Sequence, residues 1–431
     1  MSVQFSADYP TLTVEVGFAL GVSSSEWDTA LFDTATFSTD TVWHDISSFV
    51  RRLSTNRARS RETERYSGSA TLTLDNRDAR FTPGTGLPLL TESSTELQTE
   101  TGLTIFVEID PEPIAPRVPI RATAEWNSVV YPLFYGYAED WRDEYIAEGK
   151  DAVTHVPLSD GWSNLAAFDG YEQTSVGGGE TSGRRMQRIL QNLDWALATD
   201  IEDGVVTLQA TTLAANASTE ALLTADSEGG AAWVEADGSF VFEGRHALIE
   251  HTRSSTSQVT FGTGGVSISD PVTTQGSDML RNDIAMARAG STVQTATDET
   301  SVGRYGRRRH SRTDLVCETD TQVAGLVGLS LAKWKDPEYR VERVTVFPAK
   351  APSTAWPHVL GRRIRDRAEV SATVPVSGKV LEHSVFIEGV SHDISPMRWV
   401  SQFSFSSTTA YDDFTTSLWD TGVFDTATFF Y

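Results

Sequence analysis

Segments in which apolar and polar residues alternate occur in both halves of the chain and constrain its fold most. The clearest is TLTVEVGF at residues 11–18, which is rich in β-branched side chains. A period of two places alternate side chains on one face, which is typical of a half-buried strand. Further strands are predicted at residues 69–74, 102–109, 131–141, 152–158, 282–288, 339–347, 364–374, 385–391 and 399–405.

The middle of the chain has a different pattern. Residues 160–166 predict a short helix, and Ser182 is a candidate cap for a helix over residues 184–198, whose apolar residues recur at spacings of three and four. Residues 231–242 predict a hairpin, because Asp237-Gly238 is a strong turn signal between two apolar runs. A later helix is predicted near residues 321–335, before Asp336-Pro337.

These patterns predict a mainly β chain with an α+β insert. A length of 431 residues fits more than one domain. We place a β-barrel-like domain at residues 1–158, a small α+β domain at 159–262, a second, related β-barrel-like domain at 263–408 and a C-terminal segment at 409–431.

An eleven-residue motif occurs near both ends of the chain, at residues 27–37 and 419–429, and we call the two copies the clasp segments. Both read Trp-Asp-Thr-x-aliphatic-Phe-Asp-Thr-Ala-Thr-Phe. The Asp-Thr pairs favour turns, and the anchors are the aromatic residues Trp27, Phe32, Phe37, Trp419, Phe424 and Phe429. One interpretation is that each copy plugs the end of a barrel-like domain. The other is that both make equivalent contacts around a ring of subunits.

The charge balance argues against a general phosphate-binding surface. The formal net charge is -24, and nucleic-acid affinity comes largely from Lys and Arg. We therefore expect no specific nucleic-acid binding. With Cys317 as the single cysteine, neither an intrachain disulfide nor a thiolate metal cluster can form. We also expect no signal peptide, no membrane span and synthesis in the cytosol.

The sequence contains no coherent catalytic constellation, and we expect neither an enzyme nor a bound metal or other cofactor. The glycine-rich run at residues 178–185 has Arg184 and Arg185 where a phosphate-binding loop needs Lys and Ser or Thr. The carboxylates of Glu139, Asp140, Asp143 and Glu144 suit a solvated strand edge better than a hydrolase pair. Asp75, Asn76 and Asp78 favour a self-bonded turn over a Ca²⁺ site.

Two basic clusters interrupt the acidic chain. The first contains the arginines Arg51, Arg52, Arg57, Arg59, Arg61 and Arg65, and the second is Arg304-Tyr305-Gly306-Arg307-Arg308-Arg309-His310. One interpretation is a solvated loop in each case. The other is that the clusters pair with acidic surfaces of neighbouring copies or another ring, with Arg307, Arg308 and Arg309 as assembly contacts.

The order of these segments resembles the minor tail proteins of tailed bacteriophages that infect actinobacteria, and more distantly the tail-tip or baseplate hub proteins of tailed phages. The resemblance is carried by residues 42–46, the arginines after them, and residues 70–76, 80–83, 134–137, 282–284, 301–306, 336–337 and 386–392, with Trp399.

The resemblance implies a homotrimer with two related barrel domains per subunit, whose quasi-sixfold ring docks on a sixfold tail tube. Its implied partners are the tail tube or distal tail ring protein, the tape measure protein and other minor tail proteins, with the host surface as a further contact. An electronegative channel would let DNA slide without sticking. The chain is then expected in the virion, at the tail tip, connecting the tube to receptor-binding parts and closing the DNA channel. The alternative is a carbohydrate-binding adhesin that stacks sugars on Trp126, Trp141, Trp162 and Trp233.

Overall fold

The computed structural model describes residues 3–4, 6–18, 41–60, 65–83, 87–88, 106–107, 114–146, 151–170, 172–373, 378 and 380–415. Both clasp segments, with their six aromatic anchors, and Arg61 lie outside these residues. The chain forms two compact units. The first comprises Met1–Thr55, Ser69–Gly161 and His392–Trp399, and the second comprises Asn56–Gly68, Trp162–Ser391 and Val400–Tyr431. The four-domain division predicted from the sequence stays a prediction.

The first unit is built on an antiparallel sheet, as the alternating segments predict. Its strands are Val3–Gln4, Thr11–Phe18, Val42–Asp45, Pro119–Trp126, Val129–Ala138, Arg142–Ile146 and Asp151–Ser159, together with parts of Val50–Arg59 and Tyr66–Asp75. A short 3-10 turn spans Ser47–Phe49, and Leu87–Pro88 pairs with Phe106–Val107. Leu12, Val14 and Val16 are buried while the residues between them are partly exposed, which confirms the half-buried strand at residues 11–18.

The second unit contains three larger sheets and most of the helices. One sheet includes Val259–Gly262, Ser269–Thr274, Arg340–Val346, Arg367–Thr373 and most of Val380–Ser395 and Arg398–Ser407. A second has the order Thr199–Ile201, Phe240–Glu243, Ala231–Val234, and a third Gln294–Thr297, Asp283–Arg288, Arg309–Leu315. Glu180–Thr181 pairs with Thr207–Leu208. The chain is therefore mainly β with helical insertions, as predicted.

The helices of the second unit are Trp162–Ala167, Ser182–Asn192, Ala217–Glu228, Ala247–Glu250, Thr252–Ser255, Glu299–Tyr305, Asp320–Trp334, Pro352–Gly361 and Thr409–Thr415, with a 3-10 turn at Pro348–Lys350. Two details differ from the predicted helix at residues 184–198. Thr181, one residue before Ser182, is the cap and accepts from the Arg184 N–H. The helix also ends at Asn192, because Asp194 adopts the left-handed backbone region with φ 53°.

The hairpin predicted at residues 231–242 is confirmed and forms the centre of a core. Ala231–Val234 and Phe240–Glu243 pair antiparallel, and Trp233, Phe240 and Phe242 are fully buried against the helices Ser182–Asn192 and Ala217–Glu228. A second core joins the third sheet to the helix Asp320–Trp334, which begins with a capping box between Thr319 and Gln322.

An ion cluster is buried at the end of this hairpin. Glu243 is 3% exposed and contacts Arg253, His251 and Arg365, with 3.2 Å between Arg365 Nη1 and Glu243 Oε2. Burial by itself raises the pKa of the Glu243 carboxyl, but the nearby positive charges and the His251 hydrogen bond lower it to about 2. The carboxylate is thus held ionised by groups that fold around it.

The Glu243 cluster gives a pH-dependent prediction for stability. The ordinary pKa of the carboxyl is 4.5 and its folded pKa is about 2, so its stabilisation is complete above pH 4.5 and is lost as the pH falls towards 2. Replacing Glu243 by Gln should lower the free energy of unfolding by about 3 kcal/mol at pH 7, because it leaves buried arginine charge uncompensated. Urea unfolding at pH 7 and pH 3 should show a smaller difference from wild type at pH 3. The exposed Glu250→Gln is the control; a Glu243→Gln penalty equal at both pH values would contradict the account.

Candidate assembly surface

An exposed arginine surface lies on the third sheet of the second unit. It consists of Arg304 at the end of the helix Glu299–Tyr305, Arg308 in the following turn and Arg309 at the start of the strand Arg309–Leu315. All three side chains are exposed. Among the residues that the structure describes, none of the three has a carboxylate oxygen within 4.0 Å. We call them the arginine surface.

Asn282 holds the turn that presents this surface. Its side chain is completely buried, its Nδ2 donates to the Gly306 carbonyl at 2.9 Å, and its Oδ1 accepts from the Arg308 N–H at 2.7 Å. Gly306 has φ 75°, a conformation that favours glycine, and ends the helix. One buried amide therefore fixes the turn from which two of the arginines project.

The helix before the turn is fixed at its other end as well. Asp298 is the N-cap and accepts from the Ser301 N–H at 2.9 Å, while Asn282 Nδ2 also donates to Ser301 Oγ at 3.1 Å. The hydrogen bond from Ser301 lowers the pKa of Asp298, which keeps the capping carboxylate charged. Lys335 Nζ lies 3.4 Å from the same carboxylate.

Arg307 has a different role from its neighbours. Its Nη1 donates to Asp283 Oδ2 at 3.0 Å, and its Nη2 lies 3.4 Å from Glu299. The Asp283 hydrogen bond raises the pKa of Arg307, and Asp283 is only 4% exposed. Of the three predicted assembly arginines, Arg307 thus pairs with carboxylates of its own chain. The side chains of Arg308 and Arg309 are exposed to solvent. Whether any of them contacts another subunit stays a prediction.

The first basic cluster is not a solvated loop over most of its length. Residues 50–59 form a strand, and the described arginines pair with carboxylates inside the chain. The pairs are Arg51 with Asp75 and Asp151, Arg52 with Asp393, Arg57 with Glu235, Arg59 with Glu388 and Arg65 with Asp226. The solvated-loop interpretation was wrong, because residues 50–59 form a strand that their arginine-rich composition does not indicate. Pairing of these residues with a neighbouring copy gains no support, since their charges are already matched.

The other motifs considered from the sequence serve structural roles. Arg185 is 1% exposed and bonds Glu180, Thr211 and the Gln209 carbonyl, so it braces the glycine-rich turn rather than facing a ligand. Burial lowers the pKa of its guanidinium to about 10. Asp75 and Asp78 each accept from the backbone N–H two residues later, as expected for a self-bonded turn.

The four carboxylates weighed for hydrolysis have separate partners. Glu139 pairs with Arg117, Asp140 with Arg142 and Glu144 with His155, while Asp143 accepts from Asn76 and Thr154. Across the described part of the chain, no three His, Cys, Asp or Glu residues are grouped as metal ligands. Nor do these residues include a helix long and apolar enough to cross a membrane.

The turn geometry gives a local prediction. Replacing Asn282 by Ala should loosen residues 306–309, because both its side-chain bonds to the turn are lost, at a cost of about 1–3 kcal/mol for the buried groups left unpaired. Hydrogen–deuterium exchange should accelerate there and in the helix Glu299–Tyr305. Thr300→Ala, on the exposed face of the same helix, is the control. Unchanged exchange at residues 306–309 in Asn282→Ala would show that the amide does not hold the turn.

Solved structures provide a comparison for the fold. A 43 kDa tail protein of prophage MuSo2 from Shewanella oneidensis has a TM-score of 0.52 at 12% identity, over 93% of this chain and 97% of that one. A tail protein from Neisseria meningitidis MC58 has a TM-score of 0.54 at 12% identity, over 92% of this chain and 96% of that one. No protein-family model matches the chain, and no curated protein matches its sequence. The chain thus shares its fold with these two tail proteins.

Proposed function

We propose that the chain is a structural component of a bacteriophage tail, a hub or minor tail protein that forms a ring at the tail tip. The observation that carries the proposal is fold similarity to a prophage tail protein and to a second tail protein, over more than nine-tenths of each chain compared. The ring connects the tail tube to distal parts and closes the DNA channel. This role depends on the shape of the ring and needs no catalytic group.

The arginine surface supports assembly with an acidic partner. The chain has 59 Asp and Glu residues against 35 Lys and Arg, so a second copy presents far more carboxylate than basic surface. Guanidinium groups bind carboxylates through paired hydrogen bonds and fix the register of an interface. We therefore propose that Arg304, Arg308 and Arg309 contact acidic residues of a neighbouring copy in a homotrimer. The tail tube or distal ring protein, the tape measure protein and other minor tail proteins remain the proposed partners beyond the ring.

The adhesin alternative receives no support from the tryptophans on which it rests. Trp233 is completely buried, Trp141 is 7% exposed and stacked on Phe81, and Trp162 is stacked on Phe240. Trp126 is half-buried. A sugar-binding platform needs exposed aromatic faces, and three of these four rings are already packed against the protein.

Charge reversal tests the assembly proposal. Changing Arg304, Arg308 and Arg309 together to Glu should abolish the ring at protein concentrations where the wild type assembles, because like charges across an interface cost several kcal/mol. Native mass spectrometry, of the protein alone and mixed with tail-tube protein, measures the assembly. Arg307 is left unchanged, since its reversal would break the Asp283 pair.

The matched control changes the same formal charge elsewhere. Arg184, Arg343 and Arg363 are exposed and, among the described residues, have no carboxylate oxygen within 4.0 Å, so their change to Glu should leave assembly intact. An oligomer of the reversed arginine-surface variant with the wild-type mass would refute the contact. Loss of assembly in both variants would indicate a net-charge effect instead.

A further inference from the structure

A histidine lies between two carboxylates at one end of the second sheet. His251 Nε2 is 2.5 Å from Glu202 Oε1, and His251 Nδ1 is 3.6 Å from Glu243 Oε1. Glu202 directly follows the strand Thr199–Ile201, and Glu243 is the last residue of the strand that pairs with it. The imidazole ring therefore joins the ends of two neighbouring strands.

This geometry selects the protonated form of His251. A neutral imidazole has an N–H on one ring nitrogen and a lone pair on the other. Because both nitrogens face carboxylate oxygens, either neutral tautomer would direct a lone pair at a negative charge. Only the imidazolium offers an N–H to each carboxylate. The contact with Glu243 and the charge of Glu202 accordingly raise the pKa of His251 above its ordinary 6.5, although burial and Arg253 oppose them.

His251 lies in the middle of a segment that joins two sheets of the second unit. Residues 244–258, which we call the connector, run from the second sheet to the strand Val259–Gly262 of the first. The connector contains two helices of four residues each, Ala247–Glu250 and Thr252–Ser255, and His251 separates them. Helices this short have few internal hydrogen bonds, so their position depends on contacts with the rest of the fold.

The second connector helix has an anchor that does not depend on His251. Arg253 Nη1 donates to the Ile364 carbonyl at 2.8 Å and to Asp366 Oδ1 at 3.2 Å, and Arg253 Nη2 donates to Glu243. An arginine stays charged throughout the pH range in which a histidine titrates. Loss of the His251 proton would therefore leave the second helix attached.

Glu202 is the carboxylate that depends on His251 for a positive charge. Among the described residues, no arginine or lysine nitrogen lies within 4.0 Å of Glu202, whereas Glu243 also contacts Arg253 and Arg365. Other charged or titratable groups on the connector and on the elements packed against it each have a salt-bridge partner besides His251: His246, Glu250, Arg253, Arg365, Asp366 and Asp412. Deprotonation of His251 would thus remove the only described cation that is paired with Glu202.

We propose that His251 is a pH-sensitive latch for the connector. As an imidazolium it holds the first connector helix to Glu202 and Glu243, and loss of its proton breaks the Glu202 contact and loosens that helix. The inference goes beyond the proposed tail role and does not rest on it. The loosened helix carries Leu248, which is buried against Phe386 and Tyr411, so the latch also affects the packing of the helix Thr409–Thr415.

The titration of His251 in the full-length wild type is the first test, and it requires no variant that must fold. Nuclear magnetic resonance of the labelled imidazole should give a midpoint above pH 6.5, with the signal assigned by its absence in His251→Gln. Glu202→Gln should lower that midpoint by about one pH unit, because an attracting charge is lost. A wild-type midpoint at or below pH 6.5, or one that Glu202→Gln leaves unchanged, would overturn the proposal.

Hydrogen–deuterium exchange of residues 247–251 between pH 5.5 and pH 9.5, corrected for the chemical exchange rate at each pH, tests the release. The folded pKa lies above the unfolded value, so protection should be complete below pH 6.5 and be lost as the pH rises through the midpoint of His251. Linkage sets the size of this loss: a midpoint one unit above 6.5 predicts about a tenfold fall in protection.

The variants separate the latch from a general loss of stability. His251→Gln should show the low protection at every pH, and adding Glu202→Gln to it should change nothing further, because both remove the same contact. His246→Gln is the matched control, since this histidine lies in the same connector, its side chain is 44% exposed, and it pairs with Glu250 at 3.8 Å. Protection that is equal at pH 5.5 and pH 9.5 in wild type, or a pH dependence that survives in His251→Gln, would contradict the latch.

Discussion

Pairing of arginine with carboxylate is the interaction on which the described structure depends most. Acidic residues outnumber basic ones by 59 to 35, so carboxylates are available as partners for buried arginines. Arg57 and Glu235 form such a pair at 2.9 Å, with both side chains less than a tenth exposed, and Glu235 also accepts from Trp233 in the hairpin core. Breaking a pair of this kind is costly, because the surviving charge stays buried.

Because buried arginines are generally paired with carboxylates, an arginine without a carboxylate partner is a candidate for a contact with another molecule. Arg304, Arg308 and Arg309 are unmatched at the surface, within the part of the chain that the structure describes. An exposed arginine without a carboxylate partner costs little free energy, so one such residue does not by itself indicate a binding surface. Two of the three project from the turn that the buried Asn282 holds and the third ends the helix before it, so together they form a directed cationic surface. The surface arginines thus suit a partner subunit.

The sequence predicts a strand or a turn well where residues close together in the chain determine it. Alternation identified the strands at residues 11–18 and 152–158, and Asp237-Gly238 identified the hairpin turn. The strand Val50–Arg59 was missed because arginines occupy positions that usually carry apolar residues, and their burial depends on carboxylates far along the chain. Glu388, for example, lies 329 residues from Arg59. Pairings over such distances leave no periodic pattern in the sequence.

The candidate site was predictable only in part. The cluster at residues 304–310 stands out in an acidic chain, but the sequence does not distinguish Arg307, which is paired with Asp283, from the exposed Arg308 and Arg309. The role of Asn282 was also hidden, since its amide bonds a turn more than twenty residues later.

In the function proposed above, the chain forms a ring through charged contacts made by the arginine surface. The most direct test is the mass of the wild-type particle, by light scattering, at about 0.1 M and about 1 M salt, where the screening lengths are about 10 Å and about 3 Å. We expect a closed oligomer, a trimer, at low salt that dissociates towards single chains at high salt. A single-chain mass at both salt concentrations, or an oligomer indifferent to salt, would contradict it.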